Sequence, residues 1–282
     1  MAKKGVQQAE PAAEHAYETG RAYEQAKEYE QAFACYLNAA QAGHVAAEER
    51  LGRCFELGRG VARDDKEAVA HFRRAAWRGN AAAQYRLGIC YAEGRGVARN
   101  ERSAYEWLRL AAEGGLAAAQ HRLGLCYLYG IGTDKNDGAA AQWFAAAAEQ
   151  GDLPARCDLG SCYLAGRGVG KNEKKAFSHF RAAALKGCAE AMNNLGYCFR
   201  FGRGVRKNEK KAFGCFRAAA RRGCVGAQYN LGLCYAVGSG VEQNDAEAHA
   251  WLRRAAEGGN EAAIKMVRAF PEEEPLPADG KA

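Results

Sequence analysis

Proline is scarce in this chain: five residues of 282, against 34 glycines. That balance excludes a proline-rich linker or a disordered chain. Long apolar runs are missing too. No stretch approaches the 18 or more apolar residues of a membrane span, so none is expected. The opening segment, MAKKGVQQAEPAAEHAYE, has two lysines but no apolar stretch behind them. It reads as no secretory signal, and the expected location is cytoplasmic. Also absent are C-x-x-C pairs of zinc-site spacing, H-x-x-x-H, G-x-S-x-G and S-x-x-K. No catalytic residue, metal ligand or cofactor is expected, and the chain is not expected to be an enzyme.

What is abundant is periodic. Of eleven cysteines, Cys54, Cys90, Cys126, Cys162, Cys198 and Cys234 recur at one interval, always within Leu-Gly-x-Cys followed by Tyr or Phe. Alanine does the same at Ala32, Ala68, Ala104, Ala140, Ala176, Ala212 and Ala248, and glycine at Gly43, Gly79, Gly115, Gly151, Gly187, Gly223 and Gly259. A fixed period of this kind signals stacked supersecondary units. Successive units in such a stack lie roughly 8–10 Å apart, beyond the ~7 Å that a disulfide spans between Cα atoms. The periodic cysteines therefore read as small apolar core residues.

Each row reads as two helices. In AAAQYRLGICYAEG (Ala81 to Gly94), Ala83, Leu87, Cys90 and Tyr91 share one helical face. The second helix carries Ala104, Trp107, Leu108, Ala111 and Ala112 on its own stripe. Asp64, Asn100, Asn136, Asn172, Asn208 and Asn244 are positioned as N-caps, each followed by an acidic residue that suits the helix dipole. The recurring glycine suits the C′ position. Leu-Gly places a residue without a side chain on the inner face, and the column Phe72, Leu108, Phe144, Phe180, Phe216, Leu252 fills the space. Between the helices lies Gly-Arg-Gly-Val or a variant of it. It lacks the preceding strand, the Lys-Ser/Thr pair and the third glycine of phosphate-binding loops, so it reads as a turn. The arginine (Arg59, Arg95, Arg167, Arg203) is not needed for a turn and is left as a residue open to a partner.

The combined pattern, A-x-A-x-x-x-L-G-x-C-Y-x-x-G-x-G-V-x-x-N-x-x-x-A followed by A-A-x-x-G, resembles the Sel-one-like repeat, a relative of the tetratricopeptide repeat. The resemblance implies an all-α, right-handed superhelical solenoid that serves as a scaffold or adaptor for protein–protein contacts. The expected organisation is a flexible N-terminus at 1–11 and a shorter tetratricopeptide-like repeat at 12–43. Six 36-residue repeats follow at 44–259, then a capping helix at 260–270 and a disordered acidic tail at 271–282. Some cysteine-rich relatives carry a disulfide in every repeat and have been described as β-lactamases. They place two cysteines per repeat, whereas one column is filled here, so a β-lactamase or penicillin-binding role stands as an alternative.

By analogy with tetratricopeptide stacks, first helices line a concave groove. The residue two before Leu-Gly then faces it, giving Glu49, Tyr85, His121, Cys157, Asn193 and Tyr229. The residue after Leu-Gly is its neighbour, among them Ile89, Leu125, Tyr197 and Leu233, with Tyr129, Arg200 and Phe201 further along. Such a groove suits an extended peptide or a partner helix. The competing reading is that these residues pack between neighbouring first helices. Charge is uneven: fifteen Lys or Arg against three Glu from Arg167 to Arg222 give a net +12. The KNEKKAF segments contribute Lys171, Lys174, Lys175, Lys207, Lys210 and Lys211, a patch suited to an acidic protein, nucleic acid or an anionic surface. No aromatic–basic interleaving points to nucleic acid. The expected state is a monomer.

Overall fold

A helix leaves its first N–H and last C=O groups unsatisfied, and every row of this sequence supplies partners for both. Asp64 accepts hydrogen bonds from the backbone N–H groups of Lys66 and Glu67. Asn100, Asn136, Asn172, Asn208 and Asn244 each accept one from the residue three positions on. Each such cap stabilises by about 1 kcal/mol. First helices end at Gly58, Gly94, Gly130, Gly166, Gly202 and Gly238, in left-handed conformation with φ between 65 and 75°. Second helices are followed by the recurring glycine, at φ between 82 and 93°.

The structure, a computed structural model, describes residues 2–269. Among these are fifteen helices and no strand, and the fold is an all-α repeat solenoid. The chain forms two compact units, Met1–Gln150 and Gly151–Ala282. The first holds α1 (Ala2–Ala26), α2 (Tyr29–Gln41), α3 (Val45–Leu57), α4 (Asp65–Trp77), α5 (Ala81–Glu93), α6 (Glu101–Glu113), α7 (Ala117–Tyr129) and α8 (Asp137–Glu149). The second holds α9 (Leu153–Ala165), α10 (Glu173–Leu185), α11 (Ala189–Phe201), α12 (Glu209–Ala220), α13 (Val225–Val237), α14 (Asp245–Glu257) and α15 (Glu261–Ala269). Helix α1 starts at Ala2 and contains Pro11, so its backbone is helical through the segment read from sequence as a flexible N-terminus. Ala263 of α15 is buried against Leu252 and Ala255 of α14, where a capping helix is expected. The acidic tail lies outside the described residues.

Two glycine positions set the packing. Inside each repeat, the glycine of Leu-Gly lies under the bulky residue of the second helix. A Cβ on Gly196 would stand 2.5 Å from the Phe216 ring, and one on Gly88 would stand 2.9 Å from Leu108. Phe72, Phe144, Phe180 and Phe216 are completely buried. Removing such a ring costs about 3–5 kcal/mol. Tyr36 fills this place in the first repeat, over Gly20, and its hydroxyl donates to Glu24 at 2.7 Å.

The second position joins one repeat to the next. The later glycine of the Gly-x-Gly loop, at Gly60, Gly96, Gly132, Gly204 and Gly240, meets the start of the preceding repeat's second helix. A Cβ on Gly60 would fall 2.1 Å from the Tyr29 carbonyl oxygen, on Gly96 2.0 Å from that of Asp65, and on Gly204 2.1 Å from that of Glu173. Val61, Val97, Val205 and Val241 pack against core clusters beside these loops. The Gly-x-Gly-Val segment is thus a turn and an inter-repeat joint together.

The cysteine column is core, as its spacing implies. Among the described residues no cysteine is in a disulfide, and the six periodic cysteines are buried. Burial pushes Cys54, Cys90, Cys126 and Cys198 up to about 11.

Two outcomes follow from this packing. Gly96→Ala meets both a carbonyl and a positive φ, whereas Gly79→Ala meets only a positive φ in open space. Gly79→Ala should therefore cost about 1 kcal/mol, and Gly96→Ala several times more, read as midpoint shifts in urea unfolding. The thiols add a pH dependence. Unfolded thiols ionise near pH 9 and the folded ones near 11, so above pH 9 the native state binds more protons and stability falls as pH rises. Thermal scans from pH 8 to 11 should show that loss, with the alkaline limb flatter in Cys90→Ala.

Candidate interaction surface

Outside the core columns, the first helices carry the residues that vary from repeat to repeat. In the first unit, α5 presents Tyr85 and Ile89, both half-buried against the cluster of Tyr105 and Leu108 from the same repeat and Ala119 and Leu123 from the next. His121 of α7 is half-buried with its ring 5.8 Å from Phe144, and Leu125 is half-buried. Tyr129, at the end of α7, is 67% exposed.

The second unit repeats the pattern with different chemistry. Asn193 of α11 accepts a hydrogen bond from Asn230 of α13 at 2.9 Å, tying neighbouring first helices. Tyr229 packs against Leu252, Ala255 and Ala263, and Leu233 is half-buried. Tyr197 and Phe201, one helical turn apart, stack at 5.6 Å and are 41% and 57% exposed. The Arg200 guanidinium lies 5.6 Å from the Phe201 ring centre. The edge of Tyr197 also meets Phe216, the ring that covers Gly196. This exposed pair is therefore braced directly by the core of its own repeat.

The column two before Leu-Gly is less open than the sequence suggests. Glu49 and Cys157 are buried. Burial raises the Glu49 carboxyl, against the pull of Arg53, Arg50 and Arg86. Cys157 accepts a hydrogen bond from Asn194. These side chains sit between adjacent first helices because the spacing there is too close to leave them in solvent. The exposed positions lie about two turns further on. Leu57 and Val237, 48% and 66% exposed, occupy the same register as Tyr129 and Phe201, immediately before the loop. The sequence reading missed them, although their period carries the signal.

Three of the four loop arginines reach toward the preceding repeat. Arg95 pairs with Glu56 at 2.8 Å, and that buried carboxylate also receives Arg86 at 3.4 Å. Arg203 pairs with Glu173 at 3.2 Å, and Arg59 lies 4.0 Å from Glu24. These three are bonds between repeats rather than residues held free for a partner.

The six lysines of the basic patch are all exposed, on α10, α12 and the loops before them. Lys171 pairs with Glu173 at 3.7 Å and Lys207 with Glu209 at 2.9 Å. Lys175 lies 5.2 Å from the Tyr163 ring centre and Lys211 5.6 Å from that of Phe199. Basic and aromatic side chains do interleave here, through pairs twelve residues apart that a linear reading passes over. Lys174 and Lys210 stand exposed beside them.

Among the described residues, no group of His, Cys, Asp or Glu has the arrangement of a metal site, and no helix is long and apolar enough to cross a membrane.

Known proteins bear on this architecture. The Sel1 repeat family model matches residues 12–44, 45–80, 81–116, 117–152, 153–188, 189–224 and 225–260. Seven copies match, the shorter first unit included. A Sel1 repeat protein from Oxalobacter formigenes is 33% identical, with 85% of this chain and 96% of that one covered and a TM-score of 0.81. The c5321 protein, a protective antigen of uropathogenic Escherichia coli strains with an SLR fold, is 30% identical with a TM-score of 0.78. The match covers 96% of this chain and 60% of that protein. The immunity protein Pa5087 from Pseudomonas aeruginosa, 17% identical at a TM-score of 0.50 over 84% of this chain and 91% of its own, shares the fold. No curated protein matches. With its repeats matched from residue 12 to residue 260, the chain belongs to the Sel1 repeat family, a family of helical solenoids that commonly act as scaffolds for protein–protein interaction.

Proposed function

We propose that this protein is a non-enzymatic adaptor that holds a peptide or helix of another protein against its first helices. The observation that carries this reading is that each unit exposes aromatics on a first helix, Tyr129 in the first and Tyr197 with Phe201 in the second. Large aromatics next to an arginine have the composition of interaction hot spots. Braced by Phe216 and Arg200, Tyr197 and Phe201 bind with little loss of side-chain freedom. Tyr85, Ile89, His121, Leu125, Asn193, Tyr229 and Leu233 flank them and supply shape more than energy. The protein works as a monomer in the cytoplasm, where a reducing environment suits eleven cysteines outside disulfides.

The test is affinity capture from the native cell extract with mass spectrometry, comparing wild type with Tyr197→Ala/Phe201→Ala and with Tyr129→Ala. The double variant should lose its main partners while its helical circular dichroism and melting curve stay close to wild type. An unchanged partner list would refute the first-helix site. Nitrocefin turnover by the pure protein should be absent, and measurable turnover would revive the β-lactamase alternative.

A second reading rests on the exposed Lys174, Lys175, Lys210 and Lys211. These residues favour an acidic partner. Charge reversal at all four should weaken its capture and flatten its salt dependence. Retention of nucleic acid in place of protein, lost on the same reversal, would shift the assignment to nucleic acid.

A further inference from the structure

One position on the second helices governs how well the neighbouring core is covered. Trp107 of α6 packs against the cluster formed by α4 and α5, and Trp143 of α8 against that formed by α6 and α7. Trp251 of α14 does the same for α12 and α13. In α12 the equivalent residue is Cys215, preceded by Gly214. The cluster between α10 and α11 consequently receives no ring from α12.

An opening lies where that ring is missing. A cavity of about 380 Å³ is lined by Phe177, Leu185, Met192, Leu195, Phe199 and Cys215. Leu195 is half-buried, whereas its equivalents Leu51, Leu87, Leu123 and Leu231 are completely buried. The volume lies within the roughly 300–1,000 Å³ of ligand sites. Leu185 stands beside the cavity at 78% exposure and extends the apolar surface beyond it. Arg181 and Lys211 are exposed members of the lining, and α10 and α12 also carry Lys174, Lys175 and Lys210.

We propose that this cavity, on the second helices and separate from the first-helix site, receives an aromatic side chain, tryptophan above all, from a partner segment rich in acidic residues. The chain's own repeats show what fits. At the same register, three other repeats insert an indole into the equivalent place. The basic edge selects acidic neighbours around the inserted ring, and exposed Leu185 gives a chain segment a second contact that a lone small molecule lacks.

The probe is a fluorescein-labelled helical peptide with one tryptophan flanked by glutamates, titrated into the full chain and followed by anisotropy. The same peptide with alanine for tryptophan should bind at least about tenfold more weakly. Cys215→Trp fills the cavity from within, so it should abolish binding and raise the melting temperature by a few degrees. Should that variant fail to fold, two further readouts decide. Arg181→Glu/Lys211→Glu should weaken the peptide at least about tenfold, and bound peptide should slow alkylation of Cys215 relative to Cys224. Equal binding of the two peptides, undiminished binding to Cys215→Trp, or unprotected Cys215 would overturn the proposal. Equal protection of Cys215 by N-acetyltryptophanamide alone at the same concentration would overturn the peptide assignment in favour of a small apolar ligand. None of these outcomes depends on the first-helix aromatics, so the two sites stand or fall independently.

Discussion

The closest approach between repeats is that of the Gly-x-Gly loop to the first turn of the preceding second helix, and much of each unit's packing depends on it. The later glycine presses against a backbone carbonyl with no room for a Cβ. Backbone against backbone leaves little freedom to slide, so the joint fixes the register in which each repeat meets its neighbour. The loop valine packs beside it. Where arginine is present, its ion pair to Glu56 or Glu173 adds an electrostatic tie across the same junction. Only the pair to Glu56 is well buried, and screening makes the exposed pair to Glu173 the weaker of these ties.

Within this frame, the residues left for binding are those the joints and cores do not use. The register is set by glycine, alanine and one bulky residue per repeat, so positions on the remaining faces are free to differ. Tyr197 and Phe201 illustrate the result. Tyr197 is anchored through Phe216 to the core of its own repeat, yet both rings remain open to solvent. An aromatic surface held this way is preorganised, which suits a scaffold whose contribution to affinity is shape rather than induced order.

Much of the fold was legible because its signals are local. The asparagine before each second helix, the glycine after it and the Leu-Gly pair each act within a few residues or within one repeat. The interaction surface was less legible. Tyr85 and Tyr129 are both tyrosines on first helices, yet Tyr85 is wedged against the next repeat and Tyr129 projects into solvent. Glu49 and Cys157 occupy a column read as facing a groove and are buried. Exposure at such a site depends on side chains contributed by the neighbouring repeat, and no period within a single row encodes them.

The sequence by itself determined the helical repeat, its caps and the pairing of a bare glycine with a bulky residue, because these follow from backbone hydrogen bonding and steric size at fixed spacing. Tertiary structure decided three things that spacing leaves open. It turned Arg59, Arg95 and Arg203 toward carboxylates of the preceding repeat, and it left Tyr129, Tyr197 and Phe201 exposed. It also opened a cavity where Cys215 stands in a column held by tryptophan or histidine in α4, α6, α8, α10 and α14. Equivalent positions share a backbone environment, but the space beside each is set by the sizes of side chains in adjacent rows. That is a sum over neighbours rather than a property of any one of them.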